Sequence, residues 1–258
     1  MSSRLVVLGS CGAWPEAGRA CSGFVLERDG FRVVLDLGYA TLPRLLAVLG
    51  SSVADGIDAV VVTHRHADHA IDLHGLFRAR WFGRRSAAPL ALYAPADVLD
   101  QVTAVEDGDA VTVRRVFDWH PLPAPAYQLG PFQLESWALP HYVPNAGVRL
   151  STPGLVVAYT GDTGPDAALS DLGRDADLYI MEASDRDQQD STPPAPTGRR
   201  MHLSAREAGQ AAAAAGARRL LLSHFWPGKD RQASHAAAAI VFPGEVILAE
   251  EDLEIGLP

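Results

Sequence analysis

Short apolar runs bounded by turn-forming residues predict β-strands along the first part of the chain. The run RLVVL, residues 4–8, leads into a glycine-containing turn at Gly9–Gly12. In GFVLERDGFRVVLDLG, two apolar segments flank Asp29 and Gly30, and an Asp-Gly pair at that position is typical of a β-hairpin. The run DAVVVTH, residues 58–64, favours a buried strand. We therefore expect a sheet in this part of the protein.

Helical periodicity marks several of the intervening segments. Residues 41–50 and 96–105 favour helices, and DHAIDLHGLFRARWFG places four apolar side chains along one helical face (Leu73, Leu76, Phe77, Trp81). In LSAREAGQAAAAAGA, Ser204 and Glu207 match a capping box and Gly216 marks the helix end. An Ala-rich helix is expected between RRLLLSHF and EVILAEEDLEI, the last strands. The other apolar segments predict strands: PLALYAP, AVTVRRVF, FQLESWAL, AGVRL, GLVVAYTGD, DLYIMEAS, RRLLLSHF and EVILAEEDLEI.

The pattern predicts a single α/β domain over residues 1–258, because no break in composition marks a boundary. One long irregular segment stands out, DRDQQDSTPPAPTGRR at 185–200, which is expected to be either a mobile surface loop or a lid over a site.

Composition and charge narrow the classes of function. The net charge is −9 and the pI is 5.4, which counts against an extended nucleic-acid surface, since such surfaces are basic. No apolar run is long enough for a membrane span, and the start lacks a signal-peptide pattern. The only cysteines, Cys11 and Cys21, imply no disulfide framework, so we expect a cytoplasmic protein without membrane association.

The candidate chemistry begins in VVVTHRHADHAIDL, where His64, His66, Asp68 and His69 follow a buried strand directly. Residues i and i+2 of an extended segment point to the same side, so His64 and His66 are able to bind one ion together. Imidazole and carboxylate suit zinc, and also iron or manganese. Four ligands are too many for one open catalytic ion but suit half of a two-metal site.

Three further donors each end an apolar segment elsewhere in the chain. They are His141 in WALPHYVP, Asp162 in VVAYTGDTG and His224 in LLLSHFWP. Asp162 lies on a glycine-containing turn, where one carboxylate is able to bridge two ions.

At this point THRHADH resembles the metal motif of the metallo-β-lactamase fold superfamily. YTGDTG, MHLSAREAG and LLLSHF resemble its phosphodiesterase branch, which includes the tRNA 3′-processing endonucleases. The resemblance implies a four-layer αββα sandwich of two mixed sheets flanked by helices. It implies two bound divalent ions, with Zn²⁺ as the expected metal and Mn²⁺ or Fe as the alternatives. It also implies the ligand sets: His64, His66 and His141 for the first ion, Asp68, His69 and His224 for the second, and Asp162 as the bridge.

The same motifs separate the chain from other relatives. True β-lactamases lack the histidine that follows the aspartate, and lactonases and glyoxalase II share HxHxDH without pairing GDTG with HLSxxEA. The tRNA enzymes carry a long arm between the third histidine and the bridging aspartate, for which residues 142–161 leave no room. The closest likeness is to short bacterial members implicated in degrading cyclic nucleotides.

Several other residues have two interpretations each. His202 either protonates a leaving group, as the family resemblance implies, or is a polar loop residue before a helix. Glu182 either orients a catalytic histidine or ends a strand, and Asp36 either supports the metal loop or caps a turn. His74, His120 and His235 are expected to be structural.

The arginine-rich segment FRARWFGRR is ambiguous as well. Its Arg78, Arg80, Arg84 and Arg85 stand among Trp81 and Phe82. They either hold a phosphate beside a stacked base, or form a solvated helix face or a subunit interface.

The resulting hypothesis is a dinuclear metallophosphodiesterase that opens a small phosphodiester, such as a 3′,5′-cyclic nucleotide, by attack of a metal-bound hydroxide. Asp68 would orient the hydroxide and His202 would protonate the leaving alkoxide. The expected partner is the small phosphodiester, and relatives suggest a homodimer. The alternatives are a tRNA 3′-processing endonuclease, a hydrolase of a lactone or thioester, or a non-catalytic protein with a vestigial metal site.

Overall fold

The computed structural model of the protein describes residues 3–83, 87–186 and 198–258. Arg84, Arg85 and most of the predicted long loop at 185–200 lie outside these residues. The described part divides into two units: unit 1 takes the residues up to 122 together with 250–256, and unit 2 takes 123–249 with the last two residues. The single-domain organisation stays a prediction.

The elements in chain order are β1 (Ser3–Gly9), β2 (Gly23–Arg28), β3 (Phe31–Leu37), α1 (Thr41–Leu49), β4 (Ala59–Val61), α2 (Ala67–Ala70), α3 (Asp72–Gly83), β5 (Leu90–Ala94), α4 (Ala96–Val105), α5 (Ala110–Val116), β6 (Phe117–Pro121), β7 (Tyr127–Leu129), β8 (Phe132–Leu139), β9 (Asn145–Thr152), β10 (Leu155–Tyr159), α6 (Ala168–Leu172), β11 (Leu178–Glu182), α7 (Ala205–Ala214), β12 (Arg219–Ser223), α8 (Arg231–Ala239), β13 (Glu245–Leu248) and β14 (Glu254–Leu257).

Unit 1 is built on a mixed sheet with the order β14-β1-β2-β3-β4-β5-β6. The predicted hairpin is present: β2 and β3 pair antiparallel, and both turn residues, Asp29 and Gly30, have positive φ. From β3 to β6 the strands are parallel, so their carboxyl ends meet at one edge of the sheet. At that edge, the end of β3 lies beside the segment that follows β4, and this segment carries THRHADH.

The core of unit 1 contains the predicted helix face. Leu73, Leu76 and Phe77 are fully buried in one apolar cluster with side chains of the sheet, and Trp81 packs against that cluster. Burying each such aliphatic or aromatic side chain contributes about 1.5–3 kcal/mol. The predicted continuous helix is interrupted after Ala70, so α2 is a single turn that carries Asp68 and His69, and α3 is the packed helix.

Unit 2 holds the second mixed sheet, ordered β13-β12-β11-β10-β9-β8-β7. Strands β7 to β10 are antiparallel to their neighbours, whereas β10 to β13 are parallel. The carboxyl ends of β10, β11 and β12 therefore meet at one edge. The chain leaves that edge at Asp162, Glu182 and His224.

The predicted capping box is confirmed in unit 2. The Glu207 N–H donates to Ser204 Oγ at 3.2 Å, and the Ser204 N–H donates to the Glu207 carboxylate at 2.9 Å. Gly216 follows the helix with positive φ, as predicted. Inside α7, Gly209 allows a close approach to α8, because a Cβ there would lie 2.8 Å from Val241 Cγ2 and 2.9 Å from the Ala238 carbonyl.

Two strand predictions are wrong. AVTVRRVF forms α5 rather than a strand: Asp109 caps the helix by accepting the Thr112 N–H, and Val113 and Val116 are buried three residues apart. EVILAEEDLEI divides into β13 and β14, which belong to different sheets, with Asp252 at positive φ between them. Strands β6 and β7 and helix α6 were not predicted.

None of the helices in the described residues is long and apolar enough to cross a membrane.

Candidate metal centre

The amino-terminal cluster consists of His64, His66, Asp68 and His69, all in unit 1 at the carboxyl end of β4. His64 and His69 are fully buried and Asp68 nearly so. His64 Nε2 lies 3.1 Å from His66 Nδ1, and His69 Nε2 lies 3.7 Å from Asp68 Oδ2. Two nitrogens on one tetrahedral zinc ion are about 3.3 Å apart, because each bond is about 2.05 Å. The spacing of the His64 and His66 nitrogens suits one shared ion.

Asp36, at the end of the neighbouring strand β3, fixes the orientation of this cluster. It is fully buried, and Thr63 donates its backbone N–H to Oδ1 at 2.7 Å and its hydroxyl to Oδ2 at 2.9 Å. His69 Nδ1 lies 2.7 Å from the same Oδ2. A carboxylate only accepts, so Nδ1 of His69 carries the proton and Nε2 is the nitrogen that can bind a metal.

The hydrogen bonds of Asp36 also orient His64, through the Thr63 hydroxyl. Because the Thr63 hydroxyl gives its proton to Asp36, Thr63 Oγ1 is an acceptor for His64 Nδ1, which lies 3.1 Å away. His64 Nε2 is therefore also the unprotonated nitrogen. Of the two interpretations of Asp36, the structure supports the one in which it holds the metal loop.

The carboxy-terminal cluster consists of His141, Asp162, Glu182, His202 and His224, all in unit 2. The last four of these offer ligand atoms within 4.8 Å of one another. Asp162 Oδ2 lies 3.1 Å from His224 Nε2 and 3.8 Å from His141 Nε2. One carboxylate oxygen thus faces the Nε2 atoms of two histidines that lie on different loops.

Partners of the opposite ring nitrogen set the tautomers here too. His141 Nδ1 lies 3.1 Å from the Met201 carbonyl, an acceptor, and His224 Nδ1 lies 2.9 Å from Ser184 Oγ. Both rings consequently turn Nε2 toward Asp162. His224 also holds a positive φ of 58°, a conformation that is uncommon for residues other than glycine and is held by the surrounding contacts.

Glu182 organises the remaining part of the carboxy-terminal cluster. This buried carboxylate accepts the Thr163 N–H and the Ser184 hydroxyl, each at 2.5 Å, and lies 2.9 Å from His202 Nδ1. Burial is the largest single influence and opposes a charge on His202, but Glu182 and Asp162 together outweigh it and raise the pKa of His202 above its ordinary value. Of the two interpretations of Glu182, the structure supports the one in which this carboxylate orients a histidine, His202.

Both clusters have the donor chemistry of a transition-metal site. Each supplies imidazole nitrogens with a defined tautomer together with a carboxylate, the ligand types that zinc, iron and manganese share. The supporting partners Asp36, Thr63 and Ser184 match the hydrogen-bonded outer layer that ligating histidines require. The residues present therefore fit divalent metal ions.

Sequence reasoning missed several groups that position these side chains. The Ala13 N–H donates to Asp68 Oδ2 at 2.6 Å, from a turn that carries the half-exposed Trp14. Gly38 packs against the Asp68 carbonyl so closely that a Cβ would lie 1.9 Å from it. Ser184 links Glu182 to His224. Gly38 is distant from THRHADH in the sequence, and Ala13 and Ser184 belong to no motif, so the sequence carries no specific signal for these contacts.

The residues with a structural interpretation have local partners. His74 Nε2 contacts the Glu106 carboxylate at 2.5 Å, and His120 and His235 contact Asp118 and the Val246 carbonyl. Arg78 also pairs with Glu106 at 2.9 Å, which makes it part of a helix surface.

Comparison with known proteins agrees with this geometry. Residues 32–225 match the family model described as the beta-lactamase superfamily domain. A ribonuclease Z of Kineococcus radiotolerans is 31% identical, over 93% of this chain and 90% of the relative. The probable metallo-hydrolase YhfI of Bacillus subtilis is 28% identical, over 96% of this chain and 97% of the relative.

Solved structures show the same fold. The crystal structure of the metallo-beta-lactamase fold protein YhfI from Bacillus subtilis covers 99% of this chain and 100% of its own, with 27% identity and a TM-score of 0.85. Human tRNase Z, short form, at 24% identity and a TM-score of 0.77 over 99% of both chains, supports the fold alone. The predicted αββα class is confirmed. The chain therefore belongs to the metallo-β-lactamase fold superfamily of metallo-hydrolases.

Proposed function

We propose that the two clusters together bind two divalent metal ions and hydrolyse a small phosphodiester. His64, His66 and His141 would bind one ion, Asp68, His69 and His224 the other, and Asp162 would bridge them. The observation that carries this proposal is that Asp162 Oδ2 lies within 3.8 Å of both His141 Nε2 and His224 Nε2. A carboxylate oxygen facing two histidines of fixed tautomer is the arrangement that a bridging ligand needs.

When bound, the ions lower the pKa of coordinated water to about 7 and draw negative charge from the phosphoryl oxygens. Zinc is the proposed metal, because the set is rich in imidazole. Side chains of the protein would orient the nucleophile and protonate the leaving group.

Asp68 is the proposed residue that directs the nucleophile. The Ala13 N–H holds its Oδ2 from one side, and the Ser22 N–H bonds its main-chain carbonyl at 3.1 Å. With both its carboxylate and its backbone fixed, Asp68 orients a water molecule without a change of rotamer, which is the condition for efficient proton abstraction.

His202 is the proposed acid for the leaving group. Its Nδ1 is engaged by Glu182 at 2.9 Å, so Nε2 is the nitrogen from which a proton can pass to an alkoxide. Such a donor accelerates loss of a poor leaving group, as in a sugar phosphodiester.

The proposed substrate is small. Between His141 and Asp162, strands β9 and β10 and their turn occupy most of the chain, which leaves no arm for a tRNA. The acidic balance also opposes a long nucleic-acid partner. A 3′,5′-cyclic nucleotide, opened to a nucleoside 5′-monophosphate, is the proposed class, in a cytoplasmic enzyme that forms a homodimer.

A substrate panel with metal-loaded protein tests this proposal. Cyclic AMP and bis(p-nitrophenyl) phosphate should be hydrolysed, whereas precursor tRNA and simple lactones should not. Asp68→Ala should lose this turnover and Asp55→Ala, an exposed acidic residue of the same unit, should keep it. Cleavage of precursor tRNA, or lactone turnover without phosphodiester turnover, would contradict the proposed substrate class.

A further inference from the structure

A cleft in unit 1, here called the Arg80 cleft, is lined by two alanines and by Arg80, Trp81, Pro89, Arg114, Arg115 and Val116. It lies where the end of α3 and α5 meet the amino ends of the parallel strands β5 and β6. The amino-terminal cluster follows the carboxyl end of β4, which runs parallel to β5. The cleft is therefore at the opposite edge of this sheet from the metal motif.

Arg80 is the unusual residue of the cleft. Only 8% of it is exposed, and its guanidinium donates two long hydrogen bonds, to the Ala54 carbonyl at 3.3 Å and the Ala88 carbonyl at 3.4 Å. Among the described residues, no carboxylate pairs with it. Burial lowers the pKa of this guanidinium, and no acidic group in the described part of the chain offsets that effect. A buried cation without a counter-charge is costly, and arginine does not relieve the cost by losing its proton.

Two more guanidiniums surround the opening. Arg114 and Arg115 are exposed on the last turn of α5, and Arg114 lies over the Trp119 ring at 5.9 Å. The described lining holds three arginines and no acidic side chain, although the whole chain carries a net charge of −9. The described lining is therefore positively charged, with Asp109 as an acidic group that interacts with Arg115 from outside it, and a positively charged lining attracts anions.

The other walls are apolar and flat. Trp81, Pro89 and Val116 contribute them, and the Trp81 ring is held nearly parallel to Phe77, with an interplanar angle of 8°. The volume is about 710 Å³, within the range of sites for small ligands, about 300–1,000 Å³. Three arginines beside apolar walls suit an organic anion with a planar or apolar group better than they suit an inorganic ion.

We propose that the Arg80 cleft binds a small organic phosphate, with its phosphate on Arg80, Arg114 and Arg115 and its planar body against Trp81. The phosphate supplies the counter-charge that Arg80 lacks within the described fold, and bidentate contacts suit a guanidinium. This site does not depend on the proposed phosphodiesterase function, because no residue of either metal cluster takes part.

Titration calorimetry of the metal-loaded protein tests the proposal, with adenosine 5′-monophosphate and inorganic phosphate as the two probes. The test variant is Arg114→Ala with Arg115→Ala, since both side chains are exposed and Arg80 keeps its bonds to the two carbonyls. The matched control is Arg174→Ala with Arg218→Ala, which removes two exposed arginines of unit 2. Circular dichroism and the melting temperature confirm that each variant is folded.

The expected result is that the wild type and the control bind one more nucleotide per chain than the cleft variant. Any binding at the metal ions is common to all three proteins and cancels in this comparison. The nucleotide should bind the cleft at least about fivefold more tightly than inorganic phosphate, because stacking adds to the affinity. Equal stoichiometry in all three proteins would overturn the site, and equal affinity for both probes would overturn the role of Trp81.

Discussion

Asp36→Asn is the sharpest perturbation of the metal centre that leaves its ligands in place. Asparagine tolerates the positive φ of 58° at this position, so the backbone is preserved. Its carbonyl oxygen can still accept the Thr63 N–H that now bonds Oδ1. The amide nitrogen replaces Oδ2, which is the atom that accepts from the Thr63 hydroxyl and from His69 Nδ1.

The consequence is a reversed tautomer. An amide NH₂ donates to His69 Nδ1, so the proton moves to Nε2, the atom that should bind the metal. Loss of such a supporting partner lowers metal affinity by about 10–100-fold, equivalent to ~1.4–2.8 kcal/mol. Neutral bonds also replace two charge-assisted ones, which should lower the free energy of unfolding by roughly 1–3 kcal/mol in total.

Competition with a chromophoric chelator measures this metal affinity, and thermal unfolding reports stability. Asp58→Asn is the matched control, because that exposed aspartate also accepts a backbone N–H, from Arg32, at 2.8 Å. Wild-type metal affinity in folded Asp36→Asn would refute the argument that Asp36 sets the tautomer of His69. An equal loss in Asp58→Asn would refute it as well.

Other predictions address catalysis and the fold. His202→Ala should slow hydrolysis of an alkyl phosphodiester more than that of a p-nitrophenyl ester, and equal slowing would remove its role as a proton donor. Dialysis against a chelator should abolish turnover and lower the melting temperature, with both restored by zinc; unchanged turnover would exclude metal dependence. Asp109→Ala should destabilise the protein by ~1 kcal/mol in denaturant unfolding through loss of the α5 cap, and no change would argue against that cap. Gly209→Ala should destabilise it despite a gain of ~1 kcal/mol in helix propensity, because the added Cβ meets the Ala238 carbonyl and overpacking costs ~1–3 kcal/mol; increased stability would contradict the close packing of α7 on α8.

The sequence indicates where most residues of the two clusters lie for a physical reason. Except for His202, which precedes α7, their residues stand at or just after the carboxyl ends of strands, where apolar runs end abruptly in histidine or a carboxylate residue. Such a sheet edge gathers residues that are distant in the chain. The motif residues His64 to His69 and the turn at Asp162 could be located in this way without coordinates.

The groups that set tautomers could not be predicted in the same way. Thr63 and Ser184 are common residues whose roles arise from contacts across loops, and the Ala13 N–H is a backbone group with no sequence signature. Asp36 and Glu182 were recognised as candidates, but only the fold distinguishes an orienting carboxylate from one that ends a strand.

The misassigned segments show where local pattern fails. AVTVRRVF is rich in β-branched residues, yet the cap at Asp109 and the burial of Val113 and Val116 favour a helix. EVILAEEDLEI is apolar at both ends, and only the pairing of its halves with β12 and with β1 reveals two strands. In both segments, contacts with other parts of the fold determine the secondary structure that forms.

The metal content of the purified, folded protein, measured by elemental analysis alongside native mass spectrometry, tests the central claim most directly. The account predicts close to two transition-metal ions per chain, and about one or fewer after Asp162→Ala. A folded wild-type protein that binds a single ion, or keeps two ions without the Asp162 carboxylate, would contradict the bridged two-metal site.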